Sequence, residues 1–155
     1  MTKAGMTNDE ISLQDERDEL AFWGEEGADA DMLLHDGPTE KVYDLEERTA
    51  RFGEAIIRFA MKIPRNPVND RLISQLVGAA TSVGANYCEA DDSVSRKDFR
   101  KSIGTCKKEA RETKHFLRMI AIANGHLKSE ARTLWKEARE LHLIFSAIWR
   151  RTIPD

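Results

Sequence analysis

The sequence predicts an all-α protein, an up-down-up-down four-helix bundle carrying a disordered acidic N-terminal extension. Three observations lead there. Residues 41–155 hold four stretches whose apolar residues return every three or four positions, the period of an α-helix. Strong stop signals separate the stretches: "PRNP" at 64–67, "DDSVS" at 91–95, and Asn124 with Gly125. No segment alternates apolar and polar residues as a half-buried strand would. The connections are short, which sets successive helices antiparallel and side by side.

Residues 1–40 come first. They carry twelve acidic residues against two basic ones, Lys3 and Arg17, a balance of −10, and are interrupted by Gly24, Gly27, Gly37 and Pro38. Such a composition buries too little apolar surface to offset the entropy of ordering, so most of this leader is expected to be mobile. Its apolar knots, residues 20–23 and 32–34, are candidate docking points. Residues 41–155 carry fifteen acidic and twenty-two basic residues, a balance of +7, so the overall −3 conceals a basic bundle domain behind an acidic leader. On charge alone, the tethered leader is a candidate competitor for any polyanion that the domain binds.

In the first bundle helix, Leu45, Phe52, Ile56, Phe59 and Ile63 share a face. The second runs from about residue 68 to 90, with Leu72, Leu76, Ala79, Val83 and Tyr87 on one face and Ile73, Val77 and Cys88 widening the apolar arc to about half the circumference. A helix with so wide an arc packs on two sides. In the third, Ser95 and Asp98 form a capping box, and Phe99, Ile103, Cys106, Ala110, Leu117 and Ala121 form the core face. The fourth carries Ala131, Leu134, Trp135, Ala138, Leu141, Phe145, Ile148 and Trp149.

Several function classes fall away. The start lacks a basic region followed by an apolar one, and no apolar run approaches the ~18 residues of a membrane span, so a cytoplasmic protein with no membrane partner is expected. Cys88 and Cys106 stand in separate helices without metal-ligand spacing and read as reduced thiols. Glu112-x-x-His115 has the spacing of a bundle metal site, but it is a lone pair facing away from the core, whereas a di-iron centre needs two such pairs and two more glutamates. His35, His126 and His142 share no spacing with the cysteines. With no glycine-rich phosphate loop or nucleophile elbow either, the expectation is no metal, no cofactor and no enzyme of a recognisable type.

Two stripes remain as candidate sites. Arg96, Arg100, Lys107, Arg111, Lys114 and Arg118 of the third helix fall within an arc of about 60°, beside the apolar face. Asp98, Glu109 and Glu112 lie well off that arc, so the row suits a polyanion or an acidic partner. On the second helix, Gln75, Ser82, Asn86 and Glu89 cluster within about 60°, among Gly78, Ala79, Ala80, Gly84 and Ala85. Small residues let a neighbouring backbone approach, and polar groups beside such a contact fix its register, so these four read as a packing and registry device.

Three segments carry a family resemblance: "YDLEERTARFGEAII", "QLVGAATSVGANYCEADDSVSRKDF" and "KKEARETKHFLRMI". They resemble the bacterial four-helix-bundle proteins that include the 23S ribosomal RNA intervening-sequence protein and the accessory variability determinant of diversity-generating retroelements. The likeness covers about residues 42–151 and is most specific at Ser82, Asn86, Glu89 and Ala90. It implies a homopentameric barrel without known catalytic residues and, in the retroelement branch, binding of nucleic acid and a reverse transcriptase through basic surface. The combined expectation is a non-catalytic oligomeric adaptor that binds RNA or a reverse transcriptase. The alternative is a structural homo-oligomer or interaction scaffold that presents its acidic leader and binds no nucleic acid.

Overall fold

A computed structural model describes residues 8–24 and 44–153. The chain divides into two units, residues 1–37 and 38–155. In the first, helix α1 spans Asn8–Trp23, a departure from the expectation of a mostly mobile leader. The sixteen residues contain no Gly or Pro, and half of them are Glu, Leu, Ala, Gln or Arg, all good helix formers. Averaging the composition over forty positions hid this uninterrupted window. The Gln14 amide donates to the Asp18 carboxylate one turn on, at 2.9 Å, and Gly24, at φ +77°, ends the helix in the left-handed region. The first knot forms its last turn, with the Phe22 and Trp23 rings edge to face at 4.8 Å. The second knot and His35 lie outside the described residues.

The second unit is all-helical among its described residues. It comprises α2 (Leu45–Ala60), α3 (Pro67–Asp91), α4 (Arg96–Ala123) and α5 (Lys128–Arg151), with a short 3-10 turn at Gly125–Leu127. Side chains cap three of the starts. Asp44, Asn66 and Ser95 accept from the backbone N–H of Glu47, Asn69 and Asp98 at 3.1, 2.8 and 3.1 Å. Pro67 follows Asn66 at the first helical position, where its missing N–H costs nothing. Helix α4 stops at Asn124, as the sequence predicts.

Each helix packs on its neighbour in the chain, and α2 also meets α5. Helix α3 therefore lies between α2 and α4, which accounts for its wide apolar arc. The interior is built from Phe52, Ile56, Leu76, Val83, Ile103, Leu117, Ile120, Leu141 and Phe145, all buried. Leu72, Tyr87, Phe99, Leu134, Ile148 and Trp149, expected in the core, are half-buried at its margins. Where α2 meets α3, a Cβ on Gly84 would stand 3.3 Å from Thr49 Oγ1.

Polar ties also cross the unit. The side chains of Asn69 and Asn124 are buried and exchange reciprocal hydrogen bonds of 2.9 Å, joining the start of α3 to the end of α4. Each amide also reaches a backbone carbonyl, Asn69 that of Pro64 at 2.7 Å and Asn124 that of Ile120 at 3.1 Å. Arg48 of α2 grips Glu137 of α5 through two bonds of 2.7 and 3.1 Å. A bidentate, half-buried pair of this kind outweighs the exposed pairs, whose median worth is about 0–1 kcal/mol.

Candidate nucleic-acid interface

The α4–α5 seam brings the basic stripe against a second row that the sequence reading did not assemble. On α5, Trp135, Arg139, His142, Ser146 and Trp149 recur every three or four residues and, with Arg150, fall within an arc of about 100°. The Arg100 guanidinium lies 3.6 Å from the centre of a Trp149 ring, and Lys107 Nζ lies 5.0 Å from it. Between those cations in the chain, Gly104 leaves room for the indole: a Cβ there would stand 3.2 Å from Trp149 Nε1. Further along, Lys114 Nζ is 5.5 Å from the Trp135 ring. Such cation–aromatic contacts contribute about 0.5–2 kcal/mol each, more as water is excluded.

The stripe is therefore not a uniformly solvated face. Arg96 and Arg111 are exposed, Arg100, Lys107 and Arg118 half-buried, and Lys114 buried. Cations crowd one another here. Burial, then Arg150 and Arg111, lower the affinity of Lys107 for its proton. Burial also depresses His142, to about 3, with Lys114, Lys107, Arg111 and Arg139 adding to the effect, so its imidazole is neutral near pH 7. No carboxylate among the described residues pairs with Arg100, Lys107, Arg111, Arg139 or Arg150. Arg100 Nε, Arg139 Nε, His142 Nδ1 and Ser146 Oγ are buried without a hydrogen-bond partner.

Gln75, Ser82, Asn86 and Glu89 stand elsewhere, along α3. Ser82 Oγ donates to the Gly78 carbonyl at 2.6 Å and Asn86 Nδ2 to the Ser82 carbonyl at 2.8 Å, so both bond within their own helix. Glu89 is exposed and Gln75 half-buried. A groove of about 400 Å³ brings Asn86 and Glu89 together with Asp98, Lys101, Ser102 and Thr105 of α4. On the other side of α3, a groove of about 610 Å³ has a floor of Ala50, Gly53, Ile57, Gly84, Ala85 and Cys88 and an acidic rim of Asp44, Glu46, Glu47 and Glu54.

Sequence reasoning missed the α5 row and the Asn69–Asn124 tie. The row was there to be found on a helical wheel, since Arg139, His142 and Ser146 interrupt an otherwise apolar face between two tryptophans. The asparagine tie left no local signal, because its members are far apart in the chain. Glu112 is half-buried and His115 exposed, its ring edge-on to Phe116 at 5.3 Å, and the described residues contain no group of three candidate metal ligands.

The profile of the 23S rRNA-intervening sequence protein family matches residues 41–147. The chain belongs to that family. A solved structure from Bacteroides thetaiotaomicron, described as a protein of unknown function from the S23 ribosomal protein family, superimposes with a TM-score of 0.60. It is 22% identical, and the match covers 68% of this chain and 94% of that one, which establishes the shared helical fold. Comparison with curated proteins gives no match. None of the described helices is long and apolar enough to cross a membrane.

Proposed function

We propose that this family member is a non-catalytic adaptor that binds RNA through the α4–α5 seam. The observation that carries the reading is the seam's pairing of cations without carboxylate partners and half-buried aromatic surface: Arg100 and Lys107 on Trp149, with Arg111 and Arg150 beside them. A surface of this kind attracts phosphates with little base discrimination. A reverse transcriptase is a second candidate partner, by family likeness alone. In this reading Arg96, Arg100, Lys107, Arg111, Lys114 and Arg118 serve the interface, in an up-down-up-down four-helix bundle domain of residues 41–155 in the cytoplasm. Residues 1–40 are an acidic leader dispensable for folding.

The α2–α3 groove favours the alternative, a structural homo-oligomer. Its apolar floor includes exposed Ile57, and its acidic rim is complementary in charge to the seam of another copy. Repetition of such a head-to-tail contact closes a ring, and a pentamer is the form that the family likeness suggests. There, Gln75, Ser82, Asn86 and Glu89 set register between copies. Two unrelated RNA oligomers separate the readings. The adaptor binds both with similar affinity, and replacing Arg111 and Arg150, both exposed, with Gln weakens both about equally. A chain that binds neither RNA at low salt, yet elutes as a closed oligomer by light scattering, is the scaffold and not the adaptor.

A further inference from the structure

Within the seam, one group of side chains is more than a charged surface. Arg139 and Ser146 are 8% and 5% exposed, yet Arg139 Nε and Ser146 Oγ have no hydrogen-bond partner. His142 stands between them on the same face of α5, with its Nδ1 likewise unpartnered. Buried polar atoms are nearly always satisfied, so three orphans within eight residues, with Lys107 and Arg111 of α4 acting on the middle one, point to a missing acceptor. An acceptor of negative charge suits the site, because the charged groups acting on His142 among the described residues are cations: Lys107, Arg111 and Lys114 from α4 and Arg139 from α5 itself. Helix α2 also meets α5, and its Arg48–Glu137 pair lies about 140° around the helix from His142.

We propose that Arg139, His142 and Ser146 of α5, with Lys107 and Arg111 of α4, form a subsite for a single phosphoryl oxyanion. A guanidinium, an imidazole and a hydroxyl supply donors in several directions, as a tetrahedral anion with several acceptor oxygens requires. Occupation carries a proton with it. The free imidazole is neutral because its neighbours are cations and its surroundings are dry, and an oxyanion reverses the first of these causes. His142 then takes up a proton on binding and becomes a further donor.

This deepens the proposal of RNA binding, on which its nucleic-acid arm rests, and two probes separate the two ideas. The full chain is titrated with hexauridylate and with inorganic phosphate by calorimetry. The charge of a phosphodiester does not change between about pH 5.5 and 7.5, so a pH effect on hexauridylate comes from the protein. We expect hexauridylate to bind at least about threefold tighter at the lower pH, with net proton uptake, and His142→Gln to abolish both. That comparison cancels every other titrating group. Arg139→Gln weakens both probes about tenfold, with Ser146→Ala as the second variant should the first lose its helical circular dichroism. If hexauridylate binds while both the pH profile and the affinity survive these changes, the subsite is overturned and the RNA reading stands. If phosphate binds with the expected sensitivity to Arg139→Gln and hexauridylate does not bind, the subsite stands and the RNA reading falls. Binding of neither overturns both.

Discussion

At Cys106 the thiol is fully buried, donates to the Val83 carbonyl at 3.5 Å and is pushed up to about 12 by desolvation, whereas Cys88 is exposed beside the α2–α3 groove. The thiolate is the reactive form, so a thiol reagent at pH 8 should label Cys88 rapidly and Cys106 only after denaturation. Two thiols reacting at similar rates in the native protein would show that α3 and α4 do not pack as described. His142 makes a thermodynamic prediction. Its folded value of about 3 is below the 6.5 of an ordinary histidine, so between these values the unfolded chain binds the extra proton. Stability conferred by the neutral group is present above about pH 6.5 and is lost as pH falls toward 3, by at most about 1.4 kcal/mol per pH unit. In the absence of anions, the melting temperature should fall from pH 7 to 5, and less so in His142→Gln. Equal slopes would place this imidazole in solvent.

The helices were largely legible in the sequence because their signals are local: Asn66 followed by Pro67, Ser95 three residues before Asp98, and Asn124 at a stop. What links the helices was less legible. That Asn69 meets Asn124, that Arg48 meets Glu137, and that Lys114 is buried where a wheel puts it beside the apolar face all depend on which helix lies opposite. The leader erred the other way, since α1 occupies a Gly-free window inside a segment dismissed on average composition. Two substitutions test the contacts of α3. Asn69→Ala leaves the Asn124 amide short of its partner in a dry interior, at a cost of about 1–3 kcal/mol in denaturant titration. Gly84→Leu must displace Thr49, for about 1–3 kcal/mol, whereas Ala85→Leu, one residue on, points into the open groove and should leave the unit's stability nearly unchanged. If Ala85→Leu instead alters the mass by light scattering, the groove is an interface between copies. Equal destabilisation by both leucines would contradict the α2–α3 packing.

Over the whole molecule, charge is segregated more sharply than the net −3 suggests: twelve of the twenty-seven acidic residues fall in residues 1–40. Within the second unit, the acidic rim belongs to α2 and its N-cap, and the seam's cations without a carboxylate partner among the described residues belong to α4 and α5. A fold that places its cations along one helix seam, over tryptophans, concentrates positive potential there, and counterion release should then dominate the binding. The most direct measurement is the salt dependence of RNA binding, followed by fluorescence anisotropy of one labelled RNA from about 50 to 200 mM salt. The logarithm of the affinity should fall linearly with the logarithm of salt concentration. Arg111→Gln, at an exposed site, should reduce the magnitude of the slope by about 1 while the helical circular dichroism stays unchanged. An affinity independent of salt, or an Arg111→Gln variant with the parent's affinity and slope, would contradict a phosphate-binding seam between α4 and α5.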